Sequence, residues 1–462
     1  MPGRPIEILT RSFDETSEHI PTYTGSPWQL FTSDLRLFFR NILYLPFIFL
    51  PLTPWASGPL CELYPSLPNI LDILLHCVLF VLQIAFLVSL LFSLYLPVLV
   101  FFSYISIFLV VNYIICEFLN RGIPKEGLKS TNDEQSRGWA RYDDEYWIFL
   151  NGICVGKNWL QNNVDRLART FHRPIVGVHN KTSSGVVFDI IQCLIQRSML
   201  YATSDVRECY ALVKKALYRK GVKKVVFILH SQGGIEGGMI LDWLLNEVPQ
   251  DLLQYLEIYT FGSIANHFNN PYRQVISHGV NSESTENMIQ ITPGHDRAIR
   301  HIEHYANRYD FASRFGVLNF TKKAPENHLE NRFMGKVFVN PRSGHQLNQH
   351  YLDTIFPLDK TNSFTRDPRE GDFMDLNAVL KEPGQYETKA ESRVPHLILN
   401  NLDSDQKETQ ILNFSPVLTS RVNTEWEGDI GINGADLQAK LKTRDLSRLW
   451  QYRNGGRPRF SC

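Results

Sequence analysis

Residues 73–116 run for 44 positions without one Asp, Glu, Lys or Arg. As a single α-helix such a run would measure about 66 Å, roughly twice the hydrocarbon core of a bilayer. The Leu96-Pro97 step gives a place to reverse, because proline cannot continue the helical hydrogen-bond ladder. The spacing therefore predicts a transmembrane helical hairpin with spans near 74–95 and 97–116. Arg36 and Arg40 precede it and Arg121, Lys125 and Lys129 follow it, so both flanks are expected on the cytosolic side. Within the run the polar residues include only isolated His76 and Gln83 as candidates for a relay. Without paired charges, two spans predict an anchor in the lipid bilayer rather than a channel or carrier.

The region before the hairpin reads in two parts. Residues 1–40 are polar and lack a basic start followed by an apolar core, so no cleavable signal peptide is expected. Residues 42–55 are apolar but carry Pro46, Pro51 and Pro54, which predicts an interfacial or re-entrant segment rather than a span. Across the whole chain 47 basic side chains balance 47 acidic ones, which excludes a nucleic-acid partner held by bulk positive charge. Seven scattered cysteines, with no CxxC pair and no zinc spacing, point to buried free thiols facing a reducing compartment. With the hairpin, the expectation is an integral membrane protein of the endoplasmic reticulum or a lipid-droplet surface, with its main domain facing the cytosol. Residues 359–462 are rich in charge, Pro and Asn and predict a partly disordered extension. Short apolar pieces at 396–399 and 411–414, and an amphipathic stretch over 435–452, are the exceptions.

Between residues 142 and 358, short β-branched or aromatic runs alternate with helical stretches of 12 or more residues. That alternation predicts an α/β fold, a mainly parallel sheet covered by helices on both faces. One predicted strand, 224–230, ends in Leu229-His230-Ser231-Gln232-Gly233-Gly234 and opens directly into a helix. A serine at such a reversal is held in a strained conformation with its hydroxyl exposed, and the helix aims its positive end at charge developing beside it.

These residues resemble the nucleophile elbow of the α/β-hydrolase superfamily, in its lipase and serine-esterase branch. The likeness spans roughly residues 142–356. It departs from the family pattern at one place: Leu229 stands two residues before the serine, where a small residue is usual. The resemblance implies a chain order of nucleophile, acid and base, filled here by Ser231, Asp310 and His345, with Asp296 as alternative acid and His350 as alternative base. It also implies two backbone oxyanion donors, Gln232 and, after the first core strand, Ile153. No cofactor and no metal are expected. Cys154 lies in the same stretch as Ile153 but has no base assigned to it, and packing is its expected role.

The implied activity is acyl-enzyme hydrolysis of an ester, and the membrane run suggests a lipid-like one. Two other readings stay open: a catalytically silent hydrolase-fold scaffold or binding module, favoured by Leu229, and a hydrolase or acyltransferase for a dedicated small-molecule ester or thioester.

Overall fold

In the computed structural model, the described residues are 6–9, 25–124, 126–131, 139–181, 185–280, 287–321, 333–358, 373–376, 378–380 and 442–458. The apolar runs at 396–399 and 411–414, and residues 435–441, lie outside them.

The strands are β1 (Ile6–Leu9), β2 (Leu128–Lys129), β3 (Glu145–Leu150), β4 (Ile175–Val178), β5 (Lys224–His230), β6 (Leu256–Phe261), β7 (Tyr272–Val280), β8 (Asn287–Arg297), β9 (His301–Asn307), β10 (Lys336–Asn340) and β11 (Ala378–Leu380). Nine of them form one sheet in the order β11-β1-β10-β9-β6-β5-β3-β4-β2, and β7 and β8 make a separate antiparallel ribbon. Among the described residues, only the β1–β10 and β2–β4 pairings in the large sheet are antiparallel; the rest are parallel. The mainly parallel α/β expectation therefore holds at this level.

The principal helices are α1 (Pro27–Asn41), α2 (Leu67–Ser93), α3 (Val98–Asn120), α4 (Lys157–Phe171), α5 (Val186–Met199), α6 (Ser204–Leu217) and α7 (Gly233–Glu247). Strand β5 shows why its residues 225–229 are apolar without alternation. Val225, Phe227 and Leu229 pack on one face with side chains of α5, α6 and α7. Val226 and Ile228 pack on the other with α4 and the C-terminal residues Leu449, Trp450 and Tyr452. A strand buried on both faces has no solvent side on which to alternate.

The chain reverses between Ser93 and Val98, giving two helices long and apolar enough to cross a membrane. They meet through Phe86 stacked on Phe108 at 3.7 Å and through Gln83, whose Nε2 donates to Asn112 Oδ1 at 2.8 Å. Gln83 is thus no isolated polar residue. Its Oε1 also accepts the Val187 N–H at 2.9 Å, which ties the hairpin to the first turn of α5. At the other end of α2, Asn69 Oδ1 accepts from Asn158 (2.9 Å) and from Trp159 (3.2 Å) on α4.

The segments read from sequence as lying outside the main domain join it. Strand β1 pairs with β10, and α1 docks on α5 through a bidentate Arg197–Asp34 ion pair at 2.6 and 2.9 Å. The C-terminal residues do not continue a long amphipathic helix: a helix at Thr443–Leu446 stops at extended Ser447, and a 3-10 segment follows at Leu449–Gly455.

Burial of a titratable core group gives a pH prediction. His304 on β9 is fully buried; it contacts Thr260 Oγ1 through Nδ1 and the Met334 carbonyl through Nε2. Burial lowers its pKa from 6.5 to about 4. Between those values the unfolded chain binds a proton that the native chain refuses, so this residue's contribution to stability falls as pH falls. Wild type should lose about 2 kcal/mol relative to His304→Asn between pH 7 and pH 5. Denaturant unfolding of both chains at the two pH values tests this, and a pH-independent difference would contradict it.

Candidate active site

The carboxyl ends of β5, β6, β9 and β10 bring together residues far apart in sequence. Ser231 follows β5 directly and adopts φ +57°, a left-handed conformation that a non-glycine residue takes only under strain. Its environment requires that geometry. Gly233 approaches the Leu150 carbonyl so closely that an added Cβ would lie 2.6 Å away, and at Gly152 a Cβ would fall 2.5 Å from the Ser231 Cβ. Leu229, the departure from the family pattern, is accommodated across the helix: a Cβ on Gly237 would meet Leu229 Cδ1 at 2.2 Å. The bulk two residues before Ser231 is offset by a missing side chain six residues after it.

Ser231 Oγ lies 2.9 Å from His345 Nε2, and His345 Nδ1 lies 3.0 Å from Asp310 Oδ2. The expected serine, base and acid are therefore in contact and in order. Because the Asp310 carboxylate can only accept, His345 Nδ1 carries the proton and Nε2 is left to accept from the serine.

Asp310 caps the short helix Phe311–Phe315, accepting the Ala312 N–H at 2.9 Å, which fixes its carboxylate. Tyr351 Oη (2.8 Å) and Ser313 Oγ (2.9 Å) also donate to Oδ2. Burial alone would raise its pKa, but His345, Tyr351 and Ser313 more than offset burial and hold it below the ordinary carboxylate value.

The alternative base is not brought to Ser231. His350 spends both ring nitrogens elsewhere: Nδ1 accepts the Gln346 N–H at 2.9 Å and Nε2 donates to the Pro51 carbonyl at 2.8 Å. Burial lowers its pKa to about 4. Asp296 belongs to the β7–β8 ribbon, with its side chain outside the described residues, and the His345 carboxylate partner is Asp310.

The expected oxyanion residues sit on the two walls beside Ser231. Gln232 caps α7, Ile153 follows Gly152, and neither backbone N–H has an acceptor among the described residues. A buried amide chain links the two walls. Asn151 Oδ1 accepts the Asn180 N–H (2.9 Å), Asn180 Nδ2 donates to Gln232 Oε1 (2.7 Å), and Gln232 Nε2 donates to Gln196 Oε1 (2.6 Å). Cys154 is a free thiol whose pKa is pushed up, chiefly by burial and then by nearby Asp189, so it stays neutral. Among the described residues no group of three or more His, Cys, Asp or Glu side chains is arranged to hold a metal ion.

Sequence reasoning does not single out Asn180, Gly262 or Tyr351. Gly262 follows β6 at φ +56°, and a Cβ there would lie 3.0 Å from His345 Nδ1 and 3.1 Å from Asp310 Oδ2. A glycine ending an apolar run was the available signal. Asn180 carries no such local signal, yet its side chain is buried and used. With Ser231 as a nucleophile, Asn180→Ala should lower kcat by about tenfold with little change in KM, because it removes the Nδ2 bond to Gln232 Oε1 and so loosens the donor beside the serine, while the bond to Asn151 is made by the Asn180 backbone and stays. Steady-state kinetics decides this; a change in KM alone would mean that Asn180 only shapes binding.

Fold and site together define an α/β domain with an ordered Ser–His–Asp set beside a two-helix apolar hairpin. No protein-family model matches the sequence, and no curated protein matches it.

Proposed function

We propose that this chain is a membrane-anchored serine hydrolase of α/β-hydrolase type, cleaving the carboxylic ester of a lipid-like substrate through an acyl-enzyme on Ser231. The observation that carries the reading is the strained Ser231, its Oγ 2.9 Å from His345 Nε2, with the other ring nitrogen of that histidine 3.0 Å from Asp310. His345 Nε2 takes the Oγ proton as Oγ attacks the ester carbonyl, and the imidazolium is stabilised by Asp310. The Ile153 and Gln232 N–H groups, with the positive end of α7, stabilise the tetrahedral oxyanion. His345 then gives the proton to the leaving alcohol. Water deacylates the enzyme by the reverse proton path.

The lipid-like class is supported by the position of the apolar hairpin. Leu119 near the end of α3 packs against Gly156, where an added Cβ would lie 3.1 Å from the Leu119 carbonyl. Gly156 is three residues beyond Ile153. On this reading the hairpin anchors the domain on the cytosolic side of the endoplasmic reticulum or a lipid droplet, with its catalytic edge toward the lipid. The scaffold reading loses its main support, since Leu229 is matched by Gly237. The test is fluorophosphonate labelling of the full chain in phosphatidylcholine vesicles, followed by a screen of acylglycerol and phospholipid esters. Stoichiometric labelling on Ser231 is expected; a folded chain that does not label rules the reading out.

A further inference from the structure

The apolar segment between α1 and α2 contacts the catalytic loop through its backbone. A 3-10 helix at Ile42–Ile48 ends with the Ile48 carbonyl accepting the main-chain N–H of His345 itself at 3.3 Å. Past it, the Leu52 carbonyl accepts from Gln349 Nε2 at 2.6 Å and the Pro51 carbonyl from His350 Nε2 at 2.8 Å. The segment closes on buried Glu62, whose carboxylate accepts the N–H groups of Asn348 (2.9 Å) and Gln349 (3.2 Å). All these donors belong to residues 345–350, the histidine and the first part of the π-helix Leu347–Leu352 that follows it. π-helical turns are rare and occur frequently at functional sites.

The opposite side of the segment is apolar and open. Phe49 is 48% exposed, Leu50 40%, Leu52 54% and Trp55 36%. Five residues beyond Glu62 the chain enters α2, whose outer positions Leu67 and Leu74 are likewise exposed and apolar. The open face is continuous along the chain with the hairpin, and the occupant that fits both is the hydrocarbon edge of a lipid bilayer.

We propose that residues 48–62 are a bilayer-facing strap that positions His345, so that lipid contact at Phe49, Leu50, Leu52 and Trp55 is coupled to proton transfer at Ser231. The catalytic half rests on the reading of Ser231 and His345 as nucleophile and base. The strap does not act by uncovering a pocket; it grips the histidine loop through both main-chain and side-chain donors of residues 345–350. His350 belongs to this grip as a positioning residue, because an Nδ1 that accepts from Gln346 leaves Nε2–H to hold the Pro51 carbonyl.

Two measurements test this on the full chain in phosphatidylcholine vesicles. First, p-benzoylphenylalanine replaces Leu52, or Tyr218 near the opposite end of β5 as control. Photocrosslinking to phosphatidylcholine at 52 and not at 218 is expected. No lipid adduct at 52, or equal adducts at both, overturns the bilayer contact whatever the enzyme does.

Second, the double variant Phe49→Asp/Leu52→Asp, still held by the hairpin, should turn over a water-soluble short-chain ester about tenfold more slowly, with KM within about twofold, since small misplacement of a base is costly. Fluorophosphonate labelling should slow by the same factor yet reach the wild-type stoichiometry, which separates mispositioning from unfolding. Unchanged turnover overturns the coupling. A folded wild type that never labels overturns the catalytic reading, while the crosslinks still decide the strap.

Discussion

Ser231→Ala is expected to leave a folded, membrane-bound chain whose ester turnover falls by at least about 10⁴-fold. The fold should survive because the substitution removes only one oxygen, whose contact is His345 Nε2, and leaves the close packing at Gly152 and Gly233 unchanged. His345→Ala should cost a similar factor, since serine without a base is a poor nucleophile near pH 7. The double variant should be no slower than the worse single one, because the two residues act on one step. The measurement is initial-rate hydrolysis of one ester by all four chains, with circular dichroism to confirm folding. Losses that multiply in the double variant, or a Ser231→Ala chain that retains turnover, would sink the assignment.

A comparably large effect is expected at the opposite end of the sheet, on stability. Residues 442–458 cover the amino-terminal ends of the strands, about 20 Å from Ser231 along β5. Glu257 on β6 and Glu303 on β9 are buried there. Arg448 Nε lies 2.9 Å from Glu257 Oε1, its backbone N–H lies 2.8 Å from Glu303 Oε1, and Tyr452 Oη donates to Glu257 Oε2 at 2.7 Å. Burial raises the Glu303 pKa, against Lys336, the Arg448 and Leu449 N–H groups and Tyr305, which act to lower it. Removing one partner of a buried charge costs about 3–5 kcal/mol, because the other charge is left buried and unpaired. Arg448→Ala should therefore lose about 3 kcal/mol.

Truncation after Leu441 should do more. It also strips Leu449, Trp450 and Tyr452 from the core, where each large side chain is worth about 2–5 kcal/mol. Total stabilities of about 5–15 kcal/mol cannot absorb that loss, so the truncated chain should fail to accumulate as a folded protein. Thermal unfolding of Arg448→Ala and protease resistance of the truncated chain are the checks. A truncated chain with the melting temperature of wild type would show that these contacts contribute nothing net.

Local patterns made part of this legible. The charge-free run predicted the two apolar helices and their reversal at Pro97, because length and absence of charge are properties of contiguous residues. Alternating apolar and helical stretches predicted the mainly parallel sheet for the same reason. Ser231 was legible because an elbow is built from neighbours, and Asp310 and His345 because each follows a strand-like run. Their partners were not. Tyr351, Asn180 and Gly262 are ordinary residues in sequence, and their use depends on which chain ends meet at the carboxyl edge of the sheet.

The sequence by itself determined where the chain is apolar, where it alternates, and which serine stands at a strand-to-helix turn. Only the tertiary structure decided that residues 6–9 and 442–458 belong to the sheet domain, since strand pairing and buried ion pairs link positions hundreds of residues apart. It also decided that His345 rather than His350 meets Ser231, because the Pro51 carbonyl has already claimed the latter's proton. The same holds for residues 42–55. Their prolines and apolar side chains marked an interfacial segment, but the carbonyls that reach the histidine loop are carried by every residue alike, and no sequence pattern distinguishes a carbonyl that is used.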